Sequence, residues 1–225
     1  MPRPLVDAPA TGNRLVDHGR WRVGVGPLRC RVVGVLGSRL RLDAVSVGHV
    51  DALLEAASGD RASFAFTIVP GDRAAMVAYV EQALAEQAAG RGQAYVAVDL
   101  ADGRVIGSSR FMNQQRWVEP DVLVAEIGYT WLTAEAQGSG ANAEMKSLML
   151  THAFEDLGMA RVSFMTDARN ARSRAALHKL GARFEGVRRA HMPAFDGGIR
   201  DSAFFSILAD EWPQVRAGLR ERLAR

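Results

Sequence analysis

Cysteine is nearly absent: Cys30 is the only one in 225 residues, so no disulfide can form within the chain and a reducing compartment is the natural setting. Lysine is almost as scarce. Lys146 and Lys179 are the only two, and arginine supplies the rest of the 28 basic side chains. The net charge is only +3, with no block of five like charges, which weighs against a nucleic-acid surface. No Cys/His cluster has ligand spacing, so no metal site is expected. No eighteen apolar residues run together, which argues against a membrane span. The beginning of the chain carries Asp7 and Asp17 without an apolar run, unlike a signal peptide. A cytoplasmic protein is the expectation.

What is present suits a globular enzyme-sized domain. With 48% apolar and 24% charged residues, a real core can form. Residues 1–30 are punctuated by Pro2, Pro4, Pro9, Gly12, Gly19, Gly24, Gly26 and Pro27, which marks an irregular N-terminal extension before one domain spanning 31–225. Within that domain, β-like segments are expected at 31–36, 39–44, 94–99, 105–112, 122–133, 161–167, 187–192 and 201–208. Helices are expected after Ser46, from Asp72 to Gly90, from near Ala143 to Gly158, over 170–180 with Gly181 as the stop, and after Asp210 with Pro213 in the first turn. The alternation predicts one α/β domain (α+β in its pairing), a mixed, mostly antiparallel sheet tallied at seven strands and flanked by helices.

The run Gln137-Gly138-Ser139-Gly140-Ala141-Asn142 joins the strand ending at Thr133 to the next helix. A small-residue turn at a helix start presents unpaired N–H groups at the positive end of the helix dipole, a seat for phosphate. Such a turn also arises simply because glycine tolerates positive φ. It has neither the Lys-Ser/Thr of a Walker loop nor the third glycine of a dinucleotide fingerprint. The flanking residues decide. Ala125-Glu126-Ile127-Gly128-Tyr129-Thr130-Trp131-Leu132, then the loop as Gln137-x-x-Gly140-x-Asn142, then Asn170-Ala171-Arg172-Ser173, then Lys179-Leu180-Gly181-Ala182-Arg183-Phe184-Glu185-Gly186 follow in register. Over about residues 40–212 this series resembles the GNAT superfamily of acyl-CoA N-acyltransferases, most closely its RimJ/RimL-type branch.

The resemblance implies a GNAT fold, acetyl-CoA as acyl donor, and direct transfer to a primary amine, either a protein N-terminus or a small molecule. It implies that Gln137, Gly138, Ser139, Gly140, Ala141 and Asn142 hold the pyrophosphate, with Trp131, Leu132 and Thr133 along the pantetheine. Asn142 stands where the family has Gly or Ala, and an Asn can cap the helix there. Glu126 is the implied general base, and the plain alternative is a strand carboxylate paired with an arginine. Ser173 is implied beside the thioester sulfur, and Asn170 as orienting the pantetheine or the site water; as a bland alternative, Ser173 settles a helix start. The tyrosine many relatives use as acid is replaced by Leu177. The acceptor side is implied around Phe66, His191 and Asp201, which read equally well as core filler, a satisfied histidine and a turn residue. Thr130 is an insertion relative to the family's Ile-Gly-Tyr-Trp-Leu, and it reverses side-chain parity unless a bulge absorbs it. A non-catalytic CoA-binding module on the same scaffold is the competing class, and family members often pair as homodimers.

Overall fold

The strands assemble into one mixed sheet in the computed structural model, which describes residues 35–224 apart from residues 60, 119 and 120. The 1–30 extension, Cys30 and most of the segment expected at 31–36 lie outside the described residues. Eight strands are present: β1 (Val35–Leu36), β2 (Leu40–Ala44), β3 (Gln93–Asp99), β4 (Val105–Val118), β5 (Asp121–Leu132), β6 (Arg161–Asp167), β7 (Arg183–Pro193) and β8 (Ile199–Leu208). That is one more than the expected seven. The tally undercounted the eight β-like segments by one: β1 is the end of the segment expected at 31–36, and it pairs Val35 with Leu42 and Leu36 with Arg41 at the sheet edge. Its turn is closed by the Gly37 N–H donating to the Leu40 carbonyl at 2.8 Å.

The strand order is β1-β2-β3-β4-β5-β6-β8-β7. Every neighbouring pair is antiparallel except β5 with β6, which is parallel. Helices α1 (Val50–Ala56) and α2 (Arg73–Ala88) cover one face, packing Leu53, Met76 and Val80 onto Ala94, Val96 and Trp131. The opposite face carries α3 (Ala141–Thr151), α4 (Ala171–Leu180) and α5 (Trp212–Leu223), whose Met145, Leu177 and Leu219 join Tyr95, Phe111, Ile127 and Phe205. Alternation along β3 feeds both cores, because successive side chains point to opposite faces.

Local chemistry sets the helix ends. Asp72 caps α2 by accepting from the Ala75 N–H at 2.8 Å, as expected of an Asp before an apolar-periodic run. Asn170 caps α4 and Gly181 closes it at φ 92°, a left-handed conformation that glycine takes without penalty. Three expected boundaries are corrected. Helix α3 begins at Ala141, with Gly140 at its cap position, so Asn142 lies inside the first turn and is not the cap. It does not continue as α-helix to Gly158 but widens into a π-helical turn over His152–Asp156. Helix α5 takes Glu211 in place of Asp210 as its cap position.

The register of β5 is what positions the site. Along β4, Ser108 and Arg110 pair with Trp131 and Gly128, so three steps of β5 face two of β4. The extra residue is absorbed at Tyr129, with φ 50°, and Thr130. Before this bulge Ala125 and Ile127 join the α3-side core; after it Trp131 joins the α1/α2-side core and Leu132 the other. Parity therefore reverses at the bulge, and Glu126, which precedes it, keeps the face opposite to Ala125 and Ile127. Beyond Glu126 the sheet opens. β5 and β6 pair only through Val124–Arg161, Ala125–Val162 and Glu126–Ser163, although β5 continues to Leu132 and β6 to Asp167.

Candidate active site

The loop after β5 ends where α3 begins, on the same side of the molecule as the gap between β5 and β6. Gly138 and Gly140 adopt φ 77° and 95°, conformations that turn the backbone so that consecutive N–H groups face outward. Among the described residues the N–H groups of Gly138, Ser139, Gly140 and Asn142 donate to nothing, while that of Ala141 donates to Ser139 Oγ at 3.3 Å. Four free donors at a helix N-terminus fit a pyrophosphate. Two guanidinium groups flank them. Arg39 donates to the Ser139 carbonyl at 2.8 Å, and Arg172 donates to Gln137 Oε1 and to the Ser63 carbonyl, both at 2.5 Å. Gln137 also donates to the Leu132 carbonyl at 3.0 Å, tying the loop to the end of β5. The one acid in the first turn of α3, Glu144, is buried and turned away, accepting from the Ser38 and Arg39 N–H groups at 2.6 and 2.8 Å.

Glu126 sits on the last rung before β5 and β6 part. Its Oε2 accepts from Asn113 Nδ2 at 3.1 Å. Burial raises its pKa above that of an ordinary glutamate, against smaller opposing contributions from the Asn113 hydrogen bond and the Arg200 charge. A half-buried carboxylate that holds its proton more tightly than usual is suited to take one from an amine. Asn113 reaches it because a second bulge, between Met112 and Gln115 on β4, places Asn113 at φ 51°.

Ser173 and Asn170 meet at the start of α4: the Ser173 N–H donates to Asn170 Oδ1 at 2.9 Å. The Asn170 amide oxygen is thereby engaged in the cap. The Ser173 hydroxyl makes no hydrogen bond among the described residues. Thr133 donates its N–H to the Ile106 carbonyl at 2.8 Å, holding the strand end. The Trp131 side chain is buried against Phe64, edge to face at 5.9 Å, so only its backbone is available to a ligand on the other side.

The acceptor-side residues spread along one rim. Phe66 lies under Arg169, whose Cζ is 5.8 Å from the ring centroid, and Arg169 binds both Asp167 and Asp196. This joins the segment between α1 and α2 to the β7–β8 hairpin. His191 shares hydrogen bonds with Ser202 Oγ and Arg188 Nη1, each at 3.0 Å. Burial, then the Arg188 and Arg200 charges, lower its pKa, which favours the neutral ring. Asp201 is occupied within the hairpin, where Oδ1 accepts from the Ala190 N–H at 2.8 Å and supports its φ of 47°.

Several polar residues near the cleft were not anticipated from the sequence. Lys146 reaches under the β5 bulge and donates to Thr130 Oγ1 and to Ser109 Oγ. Its burial without an acid lowers its pKa to about 7. A single lysine among the apolar positions of α3, in a chain with two lysines, was the available signal. Arg110 and Asn113 carried none, because their roles depend on bulges. No three His, Cys, Asp or Glu side chains gather as metal ligands among the described residues, and no helix there is long and apolar enough to cross a membrane.

Comparison with known proteins places the fold. Over 88 residues the chain is 34% identical to Bacillus subtilis YdaF, provisionally named a ribosomal N-acetyltransferase; the match covers 39% of this chain and about half, 47%, of that relative. A GCN5-related N-acetyltransferase from Brucella melitensis superposes with a TM-score of 0.76 at 27% identity, over 86% of each chain. Mycobacterium smegmatis RimJ, solved in complex with a CoA disulfide, shares the fold at a TM-score of 0.71 and 22% identity, over 81% of this chain and 88% of that one. Residues 39–183 match the acetyltransferase (GNAT) domain model, and the chain therefore belongs to the GNAT acetyltransferase family.

Proposed function

We propose that this chain transfers the acetyl group of acetyl-CoA directly to a primary amine in a ternary complex, the acceptor being a protein N-terminus or a small amine. The observation that carries the proposal is the gap beyond the Glu126–Ser163 rung, with free N–H donors of the 138–142 loop at one end. The pyrophosphate would rest on Gly138, Ser139, Gly140 and Asn142, with Ala141 and Gln137 shaping the loop. The pantetheine would run along the backbone of Trp131, Leu132 and Thr133. RimJ, seen with a CoA disulfide, supports this placement by analogy of fold.

In this mechanism Glu126, directly or through a water, removes a proton from the ammonium or attacking amine. The amine nitrogen forms a bond to the thioester carbonyl carbon, the C–S bond breaks, and the electron pair leaves on sulfur. The unpaired Ser173 hydroxyl donates a hydrogen bond to the departing thiolate, and Asn170 acts by fixing the start of α4. Phe66, His191 and Asp201 border the acceptor, Asp201 through the shape it gives the hairpin. A reducing cytoplasm is the setting, and pairing of two copies is compatible with the family. The name of YdaF, a ribosomal N-acetyltransferase, favours a ribosomal protein as the source of the amine.

The test is release of free CoA thiol from acetyl-CoA by the purified protein, with and without panels of amines and N-terminal peptides. Release that depends on an amine, and acetylated product by mass, support the reading. Binding of acetyl-CoA with no amine-dependent turnover on any panel member would count against it.

A further inference from the structure

Arg110 faces the same side of the sheet as the candidate base. It pairs with Gly128 while Met112 pairs with Glu126, two residues along the same ladder, so Arg110 and Glu126 are separated by about 7 Å along the strands. The residue is only 5% exposed. Its Cζ lies 4.5 Å from the Tyr79 ring centroid and 3.9 Å from that of Tyr129, the residue that forms the β5 bulge. Two aromatic rings therefore hold the guanidinium.

Its hydrogen bonds are missing. Nε and Nη2 are buried and donate to nothing among the described residues. These two atoms form one edge of the guanidinium, the parallel pair of N–H groups that receives both oxygens of a carboxylate. The Tyr79 hydroxyl is buried and unpartnered as well. An arginine retained only for stacking would leave its best donor edge dry, a costly arrangement in a protein interior.

Arg110 lines a cavity together with Gln82, Glu86, Arg91, Asn113 and Tyr129. Asn113 is the residue that holds Glu126, so cavity and candidate base share a wall. Glu86 is already bound by Arg91 at 2.7 and 3.0 Å. Arg110 is thus left as a positive charge without a hydrogen-bonded acid.

We propose that the Arg110 fork binds a carboxylate of the acceptor, which makes the substrate class amines that carry a carboxylate a few bonds from the reactive nitrogen. The inference rests on the acetyl-transfer reading above for the identity of the nitrogen partner. Two sources supply this chemistry: the α-carboxylate of a free amino acid, or the acidic side chain of a peptide's second residue.

Binding of acetylated products separates the sources without requiring turnover. In the presence of CoA, calorimetric titration compares N-acetylalanine with N-acetylalaninamide, and N-acetyl-Ala-Glu amide with N-acetyl-Ala-Gln amide. One acid of these pairs binds about tenfold to a hundredfold more tightly than its neutral counterpart, the difference expected of a charge-assisted pair. The pair that discriminates identifies the source. Arg110→Gln abolishes the discrimination and Arg110→Lys, which keeps charge but loses the fork, retains only part of it. Thermal unfolding reports whether each variant is folded, and if Arg110→Gln is not, the parent and Arg110→Lys decide. Equal or undetectable binding of acid and neutral forms in both pairs overturns the proposal, as does a preference that persists in Arg110→Gln. Amine-dependent thiol release is measured separately, so its failure strikes the acetyl-transfer reading and leaves the carboxylate result standing.

Discussion

Glu126 holds its proton tightly because β5 carries it into the sheet at the point where its neighbour strand turns away. Glu126→Gln keeps the Asn113 contact but cannot accept a proton, so kcat should fall by about 10²- to 10⁴-fold while acetyl-CoA affinity, measured by calorimetry, stays unchanged. Because burial raises its pKa, the acid limb of the rate profile should lie above the pH at which an ordinary glutamate titrates, and it should vanish in the variant. Lys146 makes the opposite kind of prediction. Its pKa in the folded chain is about 7, lowered by burial from 10.5, so between those values the unfolded chain binds the extra proton. Stability contributed at this site is lowest below pH 7 and rises with pH up to about 10.5. Lys146→Met should remove that slope and raise the melting temperature more at pH 6 than at pH 9. The place of Glu126 on β5 was legible in the sequence through the motif around it. Lys146, Arg110 and Asn113 were not: the Thr130 insertion announced the β5 bulge but not the side chains that pack against it, and nothing local announced the β4 bulge that turns Asn113.

Two elements carry the cleft, the β5 bulge and the loop before α3. Deleting Thr130 would restore regular alternation: Trp131 keeps its place beside Phe64, while Tyr129, stacked on Arg110, turns toward the α3 face. The lost cation–π contact should cost about 2 kcal/mol, read from chemical denaturation. Gly140→Asp places a side chain at φ 95° and a negative charge among the donors of the loop; acetyl-CoA binding should be lost with the fold intact. The loop and its role as a helix start were legible because glycine spacing and dipole chemistry are local. Its boundary was misplaced by two residues because Gly140, in a left-handed conformation, ends the turn earlier than the apolar period of Met145 and Met149 suggests. The same locality explains why Asp72, Asn170 and Gly181 were read as helix ends, while the cap position of α5 moved to Glu211.

At the scale of the whole molecule, the strand segments were readable but their order was not: nothing local says that β8 lies between β6 and β7. The β-like segment at 31–36 was read but left out of the count of seven; Val35–Leu36 of it pairs with β2. Acetyl-CoA should stabilise the folded chain, by about 2.7 kcal/mol at a hundred times its dissociation constant, or several degrees in melting temperature. The Gly140→Asp variant should show no such rise.

The parting of β5 from β6 makes one sheet behave as two. A block of β1 to β5 and a block of β6 to β8 are stitched together by the rungs from Val124–Arg161 to Glu126–Ser163, and beyond that seam the inner strand edges have no ladder partner. A molecule lying in the gap takes the place of the missing rungs. On the proposed binding mode the acyl donor would be a splint as well as a reactant, and amide protons along those edges should exchange quickly with deuterium in the free protein and slow down only while the splint is in place.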